Sequence, residues 1–345
     1  MNDTTTELFR SVVSNIGEIG KNWHSHSILE HAEQNKVHIA KGWSIKNLPA
    51  LSSEKTQQGI VISAGPSLHK FDLLQRIKAS NFKGALICVD GSYIKCLKAG
   101  IVPDFMLSLD PHPTRMVRWF GDHDFEKNAE KDDYFNRQDL DVAFRNNSII
   151  ENRNNIELIN RMAPQTKLIL CSTAPANVVA RAQEAGFPTY WWNPLVDHPQ
   201  EPDSLTKKLF SLNPIPCMNT GGTVGTAAWV FAHTKCHIQK LAVVGMDLGY
   251  HSDTPYSMTQ TYYELQSYLQ QPGTKIEDIF PQFSFPLNGQ QFYTDPTYFW
   301  YRRNFLELLA QAKAQIFNCS EAGTLYGPQI NCIKLEDFLD NSFHG

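Results

Sequence analysis

Gly59-Ile-Val-Ile-Ser-Ala-Gly-Pro-Ser-Leu-His-Lys70 runs from an apolar segment through a Gly-Pro-Ser turn into an amphipathic one. Ile60, Val61 and Ile62 form a β-branched run of the kind that fills a buried parallel strand, expected over 59–63. Gly65 lets the backbone turn and a ligand approach closely, Pro66 fixes φ, and Ser67 can cap the helix expected over 70–79. Unpaired N–H groups at such a helix start attract anions, phosphate above all. A plain βα turn with a good N-cap fits the same residues, and the turn alone does not separate the two.

Outward from this turn the pattern alternates. Ala85-Leu-Ile-Cys-Val89 reads as a strand, 91–99 as a helix ended by Gly100, and Phe105-Met-Leu-Ser-Leu109 as the next strand. Three strands with short crossovers imply a mainly parallel sheet, right-handed connections and helices on both faces. Between 121 and 155 few apolar residues are periodic, and an irregular insertion is expected there. The alternation resumes with a helix over 156–162, a strand over 167–170, a helix over 176–185 stopped by Gly186, and a strand over 189–192. A helix over 224–232 and a strand entering the acidic loop around Asp247 follow. Next come an aromatic, Pro-broken region over 250–290, a helix over 297–314, a strand over 315–318 and a helical turn over 335–339. Ahead of all this, Leu8, Val12, Val13, Ile16 and Ile19 recur at helical spacing and a second helical segment follows around 28–39. The polar, aperiodic stretch 51–58 marks a boundary, dividing the chain into a helical segment (1–57) and an α/β domain (58–345).

Composition excludes little. The 345 residues, 42% hydrophobic and 19% charged, describe an ordinary globular protein, and a net charge of −4 gives no support to a nucleic-acid or membrane-surface partner. Seven scattered cysteines without a Cys-x-x-Cys pair fit a reduced compartment. The N-terminus lacks a signal-peptide pattern, and no apolar run approaches the roughly 18 residues a membrane span needs, so a cytoplasmic protein is expected.

Three carboxylates stand just past apolar strands: Asp90, Asp110 and Asp247. In an open parallel sheet the carboxyl ends of the strands line the ligand crevice, so these three are expected to converge with the Gly65 turn; each alone fits helix capping equally well. A second glycine turn, Asn219-Thr-Gly-Gly-Thr-Val-Gly225, offers Thr220, Gly221, Gly222 and Thr223 as another anion cradle before a helix. Two cradles on one sheet suit a nucleotide. Gly-x-Gly-x-x-Gly, Gly-x-x-x-x-Gly-Lys-Ser/Thr and Gly-x-Ser-x-Gly are all absent, which disfavours a dinucleotide dehydrogenase, a Walker-type ATPase and an α/β-hydrolase nucleophile. His251 and His112 follow strand ends and are candidate general bases, although either also fits an ordinary surface or core histidine. No His/Cys cluster has zinc spacing.

Taken together, Gly65-Pro-Ser-Leu68, Asp90-Gly91 with Lys95, Leu97 and Lys98 leading to Gly100-Ile-Val-Pro-Asp104, Leu109-Asp-Pro111, Gly222 with Ala228, Gly245-Met-Asp-Leu248 and Asn318-Cys-Ser-Glu-Ala-Gly323 resemble the core of the motility-associated factors. Those are flagellin glycosyltransferases, and they share this core with archaeal 6-hydroxymethylpterin diphosphokinases. The chain has Ser63 where the family usually has glycine. The resemblance implies a Rossmann-like fold similar to bacterial sialyltransferases. It places Gly65, Pro66 and Ser67 on the nucleotide phosphate and Asp90 and Asp110 along the crevice. Thr220, Gly221, Gly222 and Thr223 would form the second cradle, with Asp247 and Glu321 on the sugar or acceptor side.

The expected activity is transfer of a nonulosonic, sialic-like sugar from a CMP donor to a protein or glycan hydroxyl, without a required cofactor. Asp247, His251 and Glu321 are the candidates for the base that activates the acceptor. The alternative is an ATP- and Mg²⁺-dependent 6-hydroxymethylpterin diphosphokinase in which Asp90, Asp110 and Asp247 hold the metal. A nucleotide-sugar binding module without turnover is the third reading.

Overall fold

The computed structural model describes residues 7–131, 142–259, 261–270 and 272–340. In chain order the strands are β1 (Trp43–Ser44), β2 (Gln58–Ile62), β3 (Ala85–Val89), β4 (Phe105–Ser108), β5 (Lys167–Cys171), β6 (Thr189–Leu195) and β7 (Cys217–Asn219). They continue with β8 (Lys240–Val244), β9 (Tyr250–His251), β10 (Gln282–Ser284), β11 (Gln291–Tyr293), β12 (Gln315–Asn318) and β13 (Ile330–Cys332).

Ten of them build one sheet in the order β1-β6-β5-β4-β3-β2-β8-β12-β13, with β7 added on β6. Every pairing in it is parallel. The β-branched runs decide this, because strands covered on both faces need apolar side chains in both directions. Ile60, Ile62, Cys88, Met106 and Leu168 point into one core layer, beneath helices that include Leu73–Ser80, Asp90–Lys98 and Ala176–Ala185. Val61, Ile87, Leu107, Ile169 and Val243 point into the other, beneath Val224–Val230 and Pro296–Leu309.

From β2 the chain steps outward through β3, β4, β5 and β6; β8 then returns to the other side of β2, and β12 and β13 extend that way. The order reverses between β2 and β8, which makes the gap beyond their carboxyl ends the topological switch point where such sheets bind ligands.

The N-terminal helical segment is one continuous helix, Glu7–Lys41, rather than two. At one end Phe9 meets Phe299 edge to face and Val12 enters the cluster of Tyr250, Phe280 and Tyr293. Toward the other, the Asn35 amide donates to the carbonyls of Ser172 and Ala174 past β5. The stretch expected to be irregular carries the helices Phe125–Lys131 and Val142–Met162 on either side of residues outside the described set. Among the side chains described there, Phe125 and Ile159 are buried anchors. Asp122 starts the first of these helices by accepting from the Asp124 N–H and the Asn128 amide.

Strands β10, β11 and β9 form a separate antiparallel sheet within the Pro-broken region. Among the described residues no helix is long and apolar enough to cross a membrane.

Candidate functional site

At the switch point the Gly65 turn is locked to the loop after β8. The Ser63 N–H donates to the Val244 carbonyl and the Gly65 N–H to the Gly245 carbonyl, each at 2.8 Å. A Cβ on Gly65 would stand 2.5 Å from the Gly245 carbonyl oxygen and 2.9 Å from the Asp247 carboxylate, so only glycine allows this approach. Ser67 does not cap a helix: it is the first residue of the short helix Ser67–Lys70, whose cap position is Pro66. Its N–H and hydroxyl both donate to Asp247, at 2.9 and 2.5 Å.

The Asp247 carboxylate therefore occupies the anion-attracting groups that the sequence assigns to a phosphate, and the turn is a clamp between β2 and β8. Burial raises the Asp247 carboxyl above its ordinary range, against the two Ser67 hydrogen bonds that lower it.

The last segment of the sheet supports this clamp from behind. A Cβ on Gly323 (φ 90°) would lie 2.2 Å from the Asp247 carbonyl oxygen, and the Thr324 N–H donates to that same oxygen at 2.8 Å. Glu321, in the left-handed region at φ 58°, turns its carboxylate to Arg76 at 2.5 Å and accepts the Leu335 N–H at 3.1 Å. Arg76 also pairs with Glu336, and these carboxylates hold its guanidinium more basic than usual, the Glu336 hydrogen bond contributing most. Asp247 and Glu321, both expected to be catalytic, are thus engaged in holding the fold together.

The second glycine turn is also largely self-satisfied. The Gly221 N–H donates to the Asn219 side chain, the Gly222 N–H to the Thr220 hydroxyl, and the Thr226 N–H to Thr223, the true N-cap of Val224–Val230. Gly221 and Gly222 have φ of 54° and 90°, and a Cβ on Gly222 would strike the rings of Trp300 and Tyr301. Their glycine identity follows from that packing. The helix still points at the site, since a Cβ on Gly225 would stand 2.8 Å from Ser63 Oγ.

Asp90 differs from Asp247 and Glu321. It follows β3, one strand over from β2, and is 5% exposed. Its Oδ1 accepts the Gly91 N–H at 2.7 Å, whereas its buried Oδ2 has no hydrogen-bond partner within 3.5 Å, the Ser108 hydroxyl lying nearby. Burial pushes this carboxyl up to about 7; the negative charge of Asp110 adds to the rise, while the Gly91 N–H, the nearby Ser108 hydroxyl and Arg118 oppose it. Asp110, beyond β4, accepts the His112 N–H at 2.8 Å.

Ala64 and Trp119 close over this corner, 3.2 and 3.7 Å from the position of a Cβ on Gly91, and the Arg118 guanidinium lies 4.3 Å from the Trp119 ring centroid. Arg118 and Trp119 were not legible as site residues; their signal is an Arg-Trp pair on the helix Pro113–Trp119, directly after Asp110-Pro111.

Among the described residues no three His, Cys, Asp or Glu side chains come together as a metal-holding group. Asp90, Asp110 and Asp247 are not such a set, because Asp247 is turned to Ser67.

His251 stands apart on β9, its Nδ1 2.6 Å from Asp253 and its ring edge to face with Phe292. The His251 hydrogen bond holds the Asp253 carboxyl below its ordinary value.

The parallel sheet and its switch point define a doubly wound α/β protein whose candidate site lies beyond the carboxyl ends of β2, β3 and β8. Residues 30–129, which contain Gly65, Asp90 and Asp110, match the family model described as 6-hydroxymethylpterin diphosphokinase MptE-like. The fold is similar to that of the MAf glycosyltransferase from Magnetospirillum magneticum AMB-1, with a TM-score of 0.52 over 89% of this chain at 16% identity. This chain spans 38% of that one. Both findings support the family resemblance seen in the sequence, the second at the level of fold. No curated protein matches the chain.

Proposed function

We propose that the protein is a glycosyltransferase that binds a nucleotide-activated sugar at the β2/β8 switch point, with a CMP-activated nonulosonic acid as donor and a hydroxyl as acceptor. One observation carries this reading: a buried carboxylate oxygen with no partner, Asp90 Oδ2, at the carboxyl end of the strand beside the switch point. A buried acceptor left unsatisfied costs stability, which is consistent with a ligand-binding role. The likeness in fold to a glycosyltransferase supports the same reading.

In such a transfer the acceptor oxygen bonds to the anomeric carbon as the C–O bond to the donor phosphate breaks, and the acceptor proton passes to a base. Of the three bases expected from sequence, Asp247 and Glu321 are held by the chain's own donors, and we assign the role to His251. Asp253 holds Nδ1 and fixes the ring, which leaves Nε2 as the atom to receive the proton. In this reading Asp90 and Asp110 lie on the donor side.

The match to the diphosphokinase family favours a second reading, in which Asp90 and Asp110 help to hold Mg²⁺ beside ATP. Thermal-shift measurements with CMP, CMP-sialic acid, ATP and a hydroxymethylpterin, each with and without Mg²⁺, separate the two, because a ligand raises the midpoint by mass action. Stabilisation by the cytidine ligands without Mg²⁺ is expected. A response confined to ATP, Mg²⁺ and the pterin overturns the first reading in favour of the second.

A further inference from the structure

We propose that Lys70 is a donor-recognition residue, its ammonium pairing with an oxyanion carried on the donor's reacting carbon, the phosphate or the carboxylate of the sugar. This role rests on the nucleotide-sugar reading of the site and gives the donor's negative charge a partner that the Gly65 turn itself cannot supply.

Position argues for it first. The Ser67 N–H and hydroxyl are spent on Asp247, so an anion at the switch point needs a cation from beyond the turn. Lys70 is the exposed last residue of the helix Ser67–Lys70, and its N–H donates to the Pro66 carbonyl at 2.9 Å. The next residue, Phe71, packs on the cluster of Phe285, Phe292 and Ala322. Phe292 in turn pairs in register with His251, and their rings meet edge to face at 5.4 Å. The stem of Lys70 is thus fixed between the switch-point turn and the strand that carries the assigned base.

The state of its charge argues for it independently. Lys55, Arg76 and Lys98 are each tied to a carboxylate of the fold. Among the described residues the Lys70 ammonium has no ion pair or hydrogen bond. Burial dominates the acidity of Asp247 and the His251 hydrogen bond that of Asp253, yet the Lys70 charge lowers both, so it lies within electrostatic reach of each. A nonulosonic donor carries its carboxylate and its phosphate on the same anomeric carbon, the one the acceptor oxygen must reach from the side of the base. An unspent ammonium between turn and base suits either group. Pairs at a wet surface are weak, but a ligand that covers the lysine removes the water that screens it.

Isothermal titration of CMP and CMP-sialic acid against the whole chain, as wild type, Lys70→Gln and Lys70→Arg, tests this. Lys70→Gln should bind CMP-sialic acid about 10-fold more weakly or worse. Lys70→Arg keeps the charge and should stay within about threefold of wild type. A loss shared by CMP assigns the phosphate to Lys70, and a loss confined to CMP-sialic acid assigns the carboxylate; either supports the role. An equal loss in Lys70→Arg would show that the position matters and not the charge, and would overturn it. If Lys70→Gln binds both ligands as tightly as wild type, the role of Lys70 falls and the nucleotide-sugar reading stands. Binding of neither ligand by wild type overturns both.

Discussion

Asp90→Asn should make the protein more stable above neutral pH. The wild-type carboxyl rises from 3.8 to about 7 on folding, chiefly through burial. The folded state therefore holds its proton more tightly than the unfolded chain, and between those two values it binds more protons. Stability accordingly falls as pH rises through that window, with the full cost reached above about 7. The shift is 7 − 3.8 = 3.2 units. At 1.36 kcal/mol per unit this is about 4 kcal/mol, and relaxation around a charged carboxylate brings the expectation to about 2–4 kcal/mol. Asn carries no charge at any pH and keeps an acceptor for the Gly91 N–H, so the variant escapes the cost. Urea unfolding near pH 4.5 and near pH 8, with the slope checked for constancy, gives the difference directly. Wild type and variant should agree within about 1 kcal/mol at the acid end and separate as pH rises. A variant that is less stable near pH 8, or a difference that does not change with pH, refutes the reasoning. The first result would mean that the folded chain stabilises the Asp90 anion, and the second that folding leaves its acidity unchanged.

Two further substitutions separate support from chemistry. Gly323→Ala drives a Cβ to within 2.2 Å of the Asp247 carbonyl oxygen at a φ of 90°, and should cost more than about 2 kcal/mol in urea unfolding; an unchanged midpoint would show that the Asp247 loop yields freely. Glu321→Gln weakens the pairing with Arg76 between side chains 24% and 16% exposed, and should cost about 1–3 kcal/mol while leaving the transfer rate within about twofold of wild type. A loss of about 100-fold or more in rate with unchanged stability would return Glu321 to the list of bases.

Strands β2, β3, β4, β5, β8 and β12 are readable because a strand covered on both faces is written as a short apolar run between turn residues, and Ile60-Val-Ile, Ala85-Leu-Ile-Cys-Val and Leu241-Ala-Val-Val are such runs. Strands of two or three residues such as β1, β7 and β13 leave no period to read. They exist because a neighbouring strand offers free backbone groups. The position of Asp247 past a strand end was also legible, but its use was not. Its partner Ser67 is 180 residues away, and that of Glu321, Arg76, is 245 away. A strand-end carboxylate has the same local sequence whether it faces a ligand or a distant helix start, so the choice is made by tertiary contacts alone.

That ambiguity has a physical resolution which bears on the function. A carboxylate at a strand end is needed by the fold when its oxygens are spent on the chain's own donors, and Asp247 and Glu321 are of this kind: one joins β2 to β8 through Ser67, the other ties Arg76 to the start of the last helix. Removing either leaves donors unsatisfied, so the fold itself accounts for their presence. Asp90 spends one oxygen on the neighbouring Gly91 and leaves the other buried without a partner, an arrangement that costs stability. Its neighbours do not require an acid there, because an amide would serve Gly91 equally well. A residue that the fold tolerates at a cost and does not use is the one to assign to the ligand.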